Sequence, residues 1–223
     1  MAGRRTARSA SASVGQLSEA EIVQAALRLA ARTGADDVSM RTLAAELGVS
    51  PMAIYYYVPN KDALLDLIID AVLWQVPMPP PDPQRWREQL KATTMKAFEL
   101  LSGYPNLSRT MLLRKNTKAG RALAGYHISV LLAAGFDEHE AALAISAFST
   151  YMYGVFAMFS APPPRAKTGA ARKAEASAKG ARAVVHELRE LPVEEMVEFG
   201  IDAMLTGIGA TIAGRSRDRD RDS

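Results

Sequence analysis

The chain has 223 residues, 48% of them apolar, and a formal net charge of +3. That length fits one helical body or a small domain joined to a larger one, and the apolar fraction is too high for a chain without a packed core. Cysteine is absent and histidine occurs three times, which excludes disulfides and thiolate metal sites, leaves little material for catalysis, and fits a reducing compartment.

Residues 1–16 carry Arg4, Arg5 and Arg8 and no acid, so they read as a basic, disordered arm. Ser and Ala follow the arginines where a secretion signal would be apolar, and no apolar run reads as a bilayer span. A cytoplasmic protein is therefore expected. Ser18 opens a capping box with Glu21. Ile22, Ala26 and Leu29 mark one face of a first helix, which Gly34 closes. Ser39 caps a second short helix ending at Gly48, and Ser50 followed by Pro51 starts a third. Asn60 caps a fourth, apolar through Leu64, Leu65, Ile68, Ile69, Val72 and Leu73 and hence buried on more than one side.

Pro77, Pro79, Pro80, Pro81 and Pro83 then break the chain, separating a unit at residues 17–76 from a second at 82–214. Asp82 is expected to cap a fifth helix running to about Ser102. Further helices are expected over 105–113, 118–134, 137–159 and 192–213. Residues 161–180 are rich in Ala, Lys, Arg, Gly and Pro and read as a mobile linker. From Arg215, Arg and Asp alternate, and residues 215–223 read as a disordered tail. No stretch alternates as a strand does, so the fold class is all-α.

Residues 40–57 meet the requirements of a helix-turn-helix. Leu43 and Leu47 anchor the first helix, Ala44 is the small residue at the crossing, and Gly48 supplies the turn. Ile54 and Tyr57 are spaced to pack inward from the second helix. Pro51, Met52, Ala53, Tyr55 and Tyr56 are left outward, and exposed aromatics invite a partner. Tyr hydroxyls donate to phosphate, and aromatic rings pack on thymine methyls. The bland alternative is an ordinary pair of short helices.

The segments Ala-Ala-Leu-Arg-Leu-Ala from Ala25, Leu-Ala-Ala-Glu-Leu-Gly-Val-Ser from Leu43 and Ile-Tyr-Tyr-Tyr-Val-Pro-Asn-Lys-Asp-Ala-Leu-Leu from Ile54 resemble the N-terminal domain of the TetR family of bacterial repressors. The resemblance implies a three-helix DNA-binding domain on a larger helical domain for effector binding and dimerisation. It places base contacts on Pro51, Met52, Ala53 and Tyr55, and phosphate contacts on Arg41, Thr42, Tyr56 and Lys61. The recognition helix lacks Arg, Asn and Gln, so readout would lean on apolar contacts, tyrosines and DNA shape. The basic arm could enter a neighbouring minor groove.

In the second unit the last helix spaces Gly200, Ala203, Gly207, Ala210 and Gly214 at intervals of three and four, a pattern for close helix approach. With the family's twinned C-terminal helices in mind, Phe148, Val155, Gly200, Met204, Gly207 and Ile208 are expected at a homodimer interface; packing within one chain is the alternative. Trp86, Met95, Phe98, Met111 and His127 supply apolar and polar lining for an effector pocket, with Tyr126, Phe148, Tyr151 and Met152 the leading candidates.

Enzyme readings fail on spacing. His139-Glu140 starts like a zinc-protease helix, but position 143 is Leu, and the pair reads as helix-starting residues after Asp137. Gly207-Ile208-Gly209 is not a dinucleotide loop. No metal, cofactor or membrane partner is expected. The expected function is a DNA-binding repressor released by a small apolar or aromatic effector. Two other readings stay open: a small-molecule binding protein without a DNA role, and a DNA-binding protein without a ligand.

Overall fold

The computed structural model describes residues 17–114, 117–160, 184, 186–187 and 190–219. The basic arm at 1–16 and the linker at 161–180 lie outside the described residues. Among those described, the regular elements are helical: α1 (Glu19–Thr33), α2 (Met40–Leu47), α3 (Pro51–Tyr57), α4 (Lys61–Leu73), α5 (Trp86–Ser102), α6 (Leu107–Leu113), α7 (Lys118–Ala133), α8 (Glu138–Ser160) and α9 (Val193–Arg219). The all-α expectation holds.

Local chemistry sets most boundaries. The Ser18–Glu21 capping box is formed, with the Ser18 amide donating to Glu21 Oε2 at 2.9 Å. Gly48 takes the left-handed conformation at φ 67°; a Cβ there would meet nothing within 4 Å, so the dihedral rather than space requires glycine. Ser50 accepts from the Ala53 amide with Pro51 in the first turn, and Asn60 accepts from the Ala63 amide at 2.8 Å.

Other boundaries differ from the sequence expectation. Asp82 does not cap α5: its Oδ1 accepts from Gln84 N, and the Gln89 side chain holds the proline segment by bonding Pro80 O and Asp82 N, each at 2.8 Å. The helix therefore starts at Trp86. Helix α6 starts at Leu107 because Asn106 sits at φ 63°. Helix α9 continues to Arg219, past Gly214 into the stretch expected as a tail; arginine favours the helix. Residues 138–158 of α8 form a 21-residue stretch of mean hydropathy 1.4, long and apolar enough to cross a membrane. Its apolarity has another use here, because the helix packs against α6, α7 and α9.

The first unit closes around Ile22, Ala26, Leu43, Ile54, Val58, Leu64 and Ile68, all fully buried. Each buried Ile, Leu or Val side chain contributes about 1.5–3 kcal/mol. Helix α4 is buried on two sides: it packs on α1 and also on α5 and α7. The Asp70 carboxylate accepts from Ala119 N at 2.7 Å and Lys118 N at 3.3 Å, fixing the start of α7 on α4. The two units thus share one continuous core. Helix α9 lies along α5 and α8, with Lys91 pairing to Glu198 and Asp202 at 2.8 and 2.7 Å.

Candidate DNA-reading helix and internal cavity

Helices α2 and α3 form the helix-turn-helix. Ile54 is fully buried, whereas Met52 is 74%, Tyr55 45% and Tyr56 85% exposed. A seven-residue helix that turns three large apolar-bodied side chains to solvent is presenting a surface. Pro51 is exposed beside them and Ala53 half-buried. Tyr57 is half-buried and its ring meets Tyr56 edge-on at 5.2 Å, which restricts the more exposed ring.

The other expected contact residues divide. Arg41 is exposed at the start of α2 and has no ion-pair partner among the described residues. Thr42 is committed: its hydroxyl accepts from Ser39 N at 2.9 Å and donates to Ser39 O at 3.0 Å. Its position in the capping box, which the sequence reading did not anticipate, makes it a holder of the α2 start. Lys61 is exposed but its Nζ donates to the Asp36 carbonyl at 2.6 Å, so phosphate would have to draw it away.

Helices α5 to α8 line a partly open cavity of about 130 Å³. Phe148 and Met152 line it, with His127 and Met111 from the wider expected set. Tyr126 and Tyr151 do not. The Tyr126 hydroxyl is buried without a partner. The Tyr151 hydroxyl donates to the carbonyls of Met196 and Val197 at 3.3 and 3.4 Å. Its ring fills the space a Cβ on Gly200 would need, so Gly200 is small for α8 of its own chain. Burial raises both phenols above the ordinary tyrosine range.

Thr94, Ser149, Tyr153 and Phe156 also line it and were missed by the sequence reading. The only signal for Thr94 is a Thr-Thr pair inside a helix. Its partner Thr93 bonds His127 Nε2 at 2.8 Å, and the His127 ring meets Phe148 edge-on at 6.0 Å. Burial lowers the His127 pKa to about 4, so the ring is neutral at physiological pH. A larger groove of about 640 Å³ lies across α5 under Pro77–Pro80. Arg85, Glu88 and Lys96 line it, and the smaller cavity, with buried Thr94 and His127 among apolar side chains, is the better candidate for an uncharged ligand.

The cavity is joined mechanically to the first unit. Met111 of α6 lines it, and three residues on Arg114 grips the start of α4. Its guanidinium donates to Asp62 O and to Asp66 Oδ1, both at 2.9 Å, and pairs with the Asp62 carboxylate. Lys61 is the next residue.

The expected dimer residues also divide. Phe148 and Val155 are buried within the protomer at 6% exposure each. Their expected place at an interface is corrected: they face the chain's own core. Met204 and Ile208 are half-buried against that core. The outward faces carry Leu143, Ala147, Gly154 and Met158 on α8, and Phe199, Ala203, Gly207 and Ala210 on α9. Leu143, Met158 and Phe199 are 51%, 55% and 75% exposed. Among the described residues His139 and Glu140 form no metal cluster, and Glu140 closes a capping box with Asp137 (Glu140 N to Asp137 Oδ1, 2.8 Å).

Residues 22–68 match the family described as "Bacterial regulatory proteins, tetR family", and residues 79–212 match "Tetracyclin repressor-like, C-terminal domain". An HTH-type transcriptional regulator of Saccharopolyspora erythraea is 33% identical over 62% of this chain and 59% of its own length. The tetracycline repressor protein class G of Vibrio anguillarum is 26% identical over 86% of this chain and 93% of its own. ActR of Streptomyces coelicolor, solved in complex with (S)-DNPA and with actinorhodin, superposes with a TM-score of 0.72, covering 88% of this chain and 99% of ActR; identity is 27% in the first complex and 26% in the second. Two domain matches that together span most of the sequence, on a helix-turn-helix joined to a helical body with an internal cavity, place this chain in the TetR family of ligand-responsive transcriptional regulators.

Proposed function

We propose that the protein is a cytoplasmic repressor that binds double-stranded operator DNA as a homodimer and is released by a small apolar or aromatic effector. The outward face of α3, with Met52, Tyr55 and Tyr56 exposed over a buried Ile54, is the observation that carries the reading. Pro51, Met52, Ala53 and Tyr55 approach base edges, while Arg41, Tyr56 and Lys61 hold phosphates. Thr42 acts through the α2 start, whose amides it keeps in order. The relatives are regulators rather than enzymes, and we read this chain in the same way.

The test is binding to the DNA upstream of its own gene across a salt series. Tyr55→Ala is expected to weaken specific binding about tenfold or more and non-specific binding little. Arg41→Ala should weaken both alike and reduce the salt slope by about one. Absence of salt-sensitive binding would overturn the reading.

Effector control needs a path from the cavity to α3, and α6 with Arg114 supports one. Its two arrangements would differ in how Arg114 holds Asp62 and Asp66, and so in where Lys61 sits. Arg114→Ala is expected to raise amide hydrogen exchange across residues 61–66 and to weaken DNA binding by about five- to a hundredfold, the range of ordinary coupling energies. Unchanged exchange there, with unchanged DNA affinity, would remove Arg114 from the path.

A further inference from the structure

We propose that the cavity among α5 to α8 selects an uncharged aromatic effector bearing a ring hydroxyl, a phenol-class molecule, held by Thr94 and His127. This rests on the ligand-controlled reading above and specifies its ligand. Thr94 is 5% exposed, lines the cavity, and its Oγ1 is buried without a hydrogen-bond partner in the protein. Threonine in a helix ordinarily bonds back to a carbonyl one turn earlier, as Thr93 does to Gln89 O at 2.8 Å. An unmet buried hydroxyl costs stability and needs a reason. A ligand oxygen supplies one.

His127 provides the second handle. Thr93 Oγ1 lies 2.8 Å from both the Gln89 carbonyl oxygen and His127 Nε2. The carbonyl can only accept, so in the arrangement we infer it takes the single hydroxyl hydrogen and the ring proton is on Nε2. That tautomer leaves Nδ1 as the acceptor. A phenolic O–H can donate to Nδ1 while its oxygen accepts from Thr94.

The rest of the wall sets charge and size. Leu101, Met111, Phe148, Met152 and Phe156 are apolar, and among the described lining residues none is Asp, Glu, Lys or Arg. A carboxylate would lose part of its water there and meet no cation among the described lining residues. About 130 Å³ suits one aromatic ring, since a dry engineered cavity of about 150 Å³ takes up benzene.

The test uses the full chain and three probes of one ring each: phenol, toluene and benzoate, titrated calorimetrically at neutral pH. Phenol is expected to bind at least tenfold tighter than toluene, with benzoate weakest. Thr94→Val should cost phenol about tenfold, leave toluene unchanged or tighter, and not lower the melting temperature. Thr94→Ser, which keeps the hydroxyl, should keep the preference for phenol. Equal binding of phenol and toluene, benzoate binding as well as phenol, an unaltered preference in Thr94→Val, or no binding of any probe would each overturn the inference. A DNA gel shift on the same preparations separates the two readings. Intact DNA binding with any of those results removes only the ligand class. Loss of DNA binding with phenol selection intact removes the regulator and leaves the ligand site.

Discussion

The double substitution Leu143→Glu with Phe199→Glu is expected to give a folded monomer that has lost operator binding. The two side chains are 51% and 75% exposed on α8 and α9, so charging them leaves the protomer core untouched, and circular dichroism should be unchanged. Around them Ala147, Gly154, Ala203 and Gly207 are exposed and small, which lets a second pair of helices come close. Glycine inside a helix costs up to about 1 kcal/mol. Gly200 is explained by Tyr151, whose ring occupies the position of a missing Cβ, while Gly207 lies on the exposed face of α9. Two recognition helices must be held about 34 Å apart to read adjacent major grooves. Linking two sites raises avidity by about 10²–10⁴, so operator affinity should fall by that factor. Light scattering and a gel shift on the same sample check both halves. A variant that stays dimeric, or a monomer with undiminished operator affinity, would place the interface elsewhere.

The exposed apolar faces of α8 and α9 also bear on which parts of the fold were legible in the sequence. Caps are local chemistry, and Ser18, Ser39, Gly48, Ser50 and Asn60 could be read from a few neighbours each. Asp82 could not, because a side chain seven residues on, Gln89, holds the loop that moves it off the helix start. The phase of α8 was harder still. Leu143 and Ala147 face out while Ala144 and Phe148 face in, so the helix is apolar all round and periodicity cannot say which face is the core. That is why Phe148 and Val155 were expected at an interface, and why Tyr151 was expected in the cavity when it wedges against α9. On α3 the single buried Ile54 leaves no such ambiguity, and the outward set was legible. Thr94 was invisible because its significance is a missing hydrogen bond, which no sequence pattern records.

His127 predicts a loss of stability in mild acid. Its ring is buried at 7% exposure, makes no ion pair among the described residues, and has its pKa lowered to about 4 by loss of solvent. In the unfolded chain histidine titrates near 6.5. Above that value both states carry a neutral ring and pH has no effect through this residue. Below it the unfolded chain takes up a proton that the folded one refuses, so stability declines as pH falls and levels off near pH 4. The contribution is on the order of 3 kcal/mol over that interval, a sizeable part of the about 5–15 kcal/mol typical of a folded domain. Carboxylates held low by partners, such as Glu46 beside Arg32, add their own loss at the acid end, so the comparison is between variants. His127→Gln keeps a donor for Thr93 and cannot be protonated. Urea melts from pH 7 to 4 should show a flatter dependence for His127→Gln than for wild type, by about the same 3 kcal/mol. Parallel curves would mean that the folded ring takes up a proton as readily as the unfolded one, and below that pKa a protonated ring has no acceptor to offer a phenol.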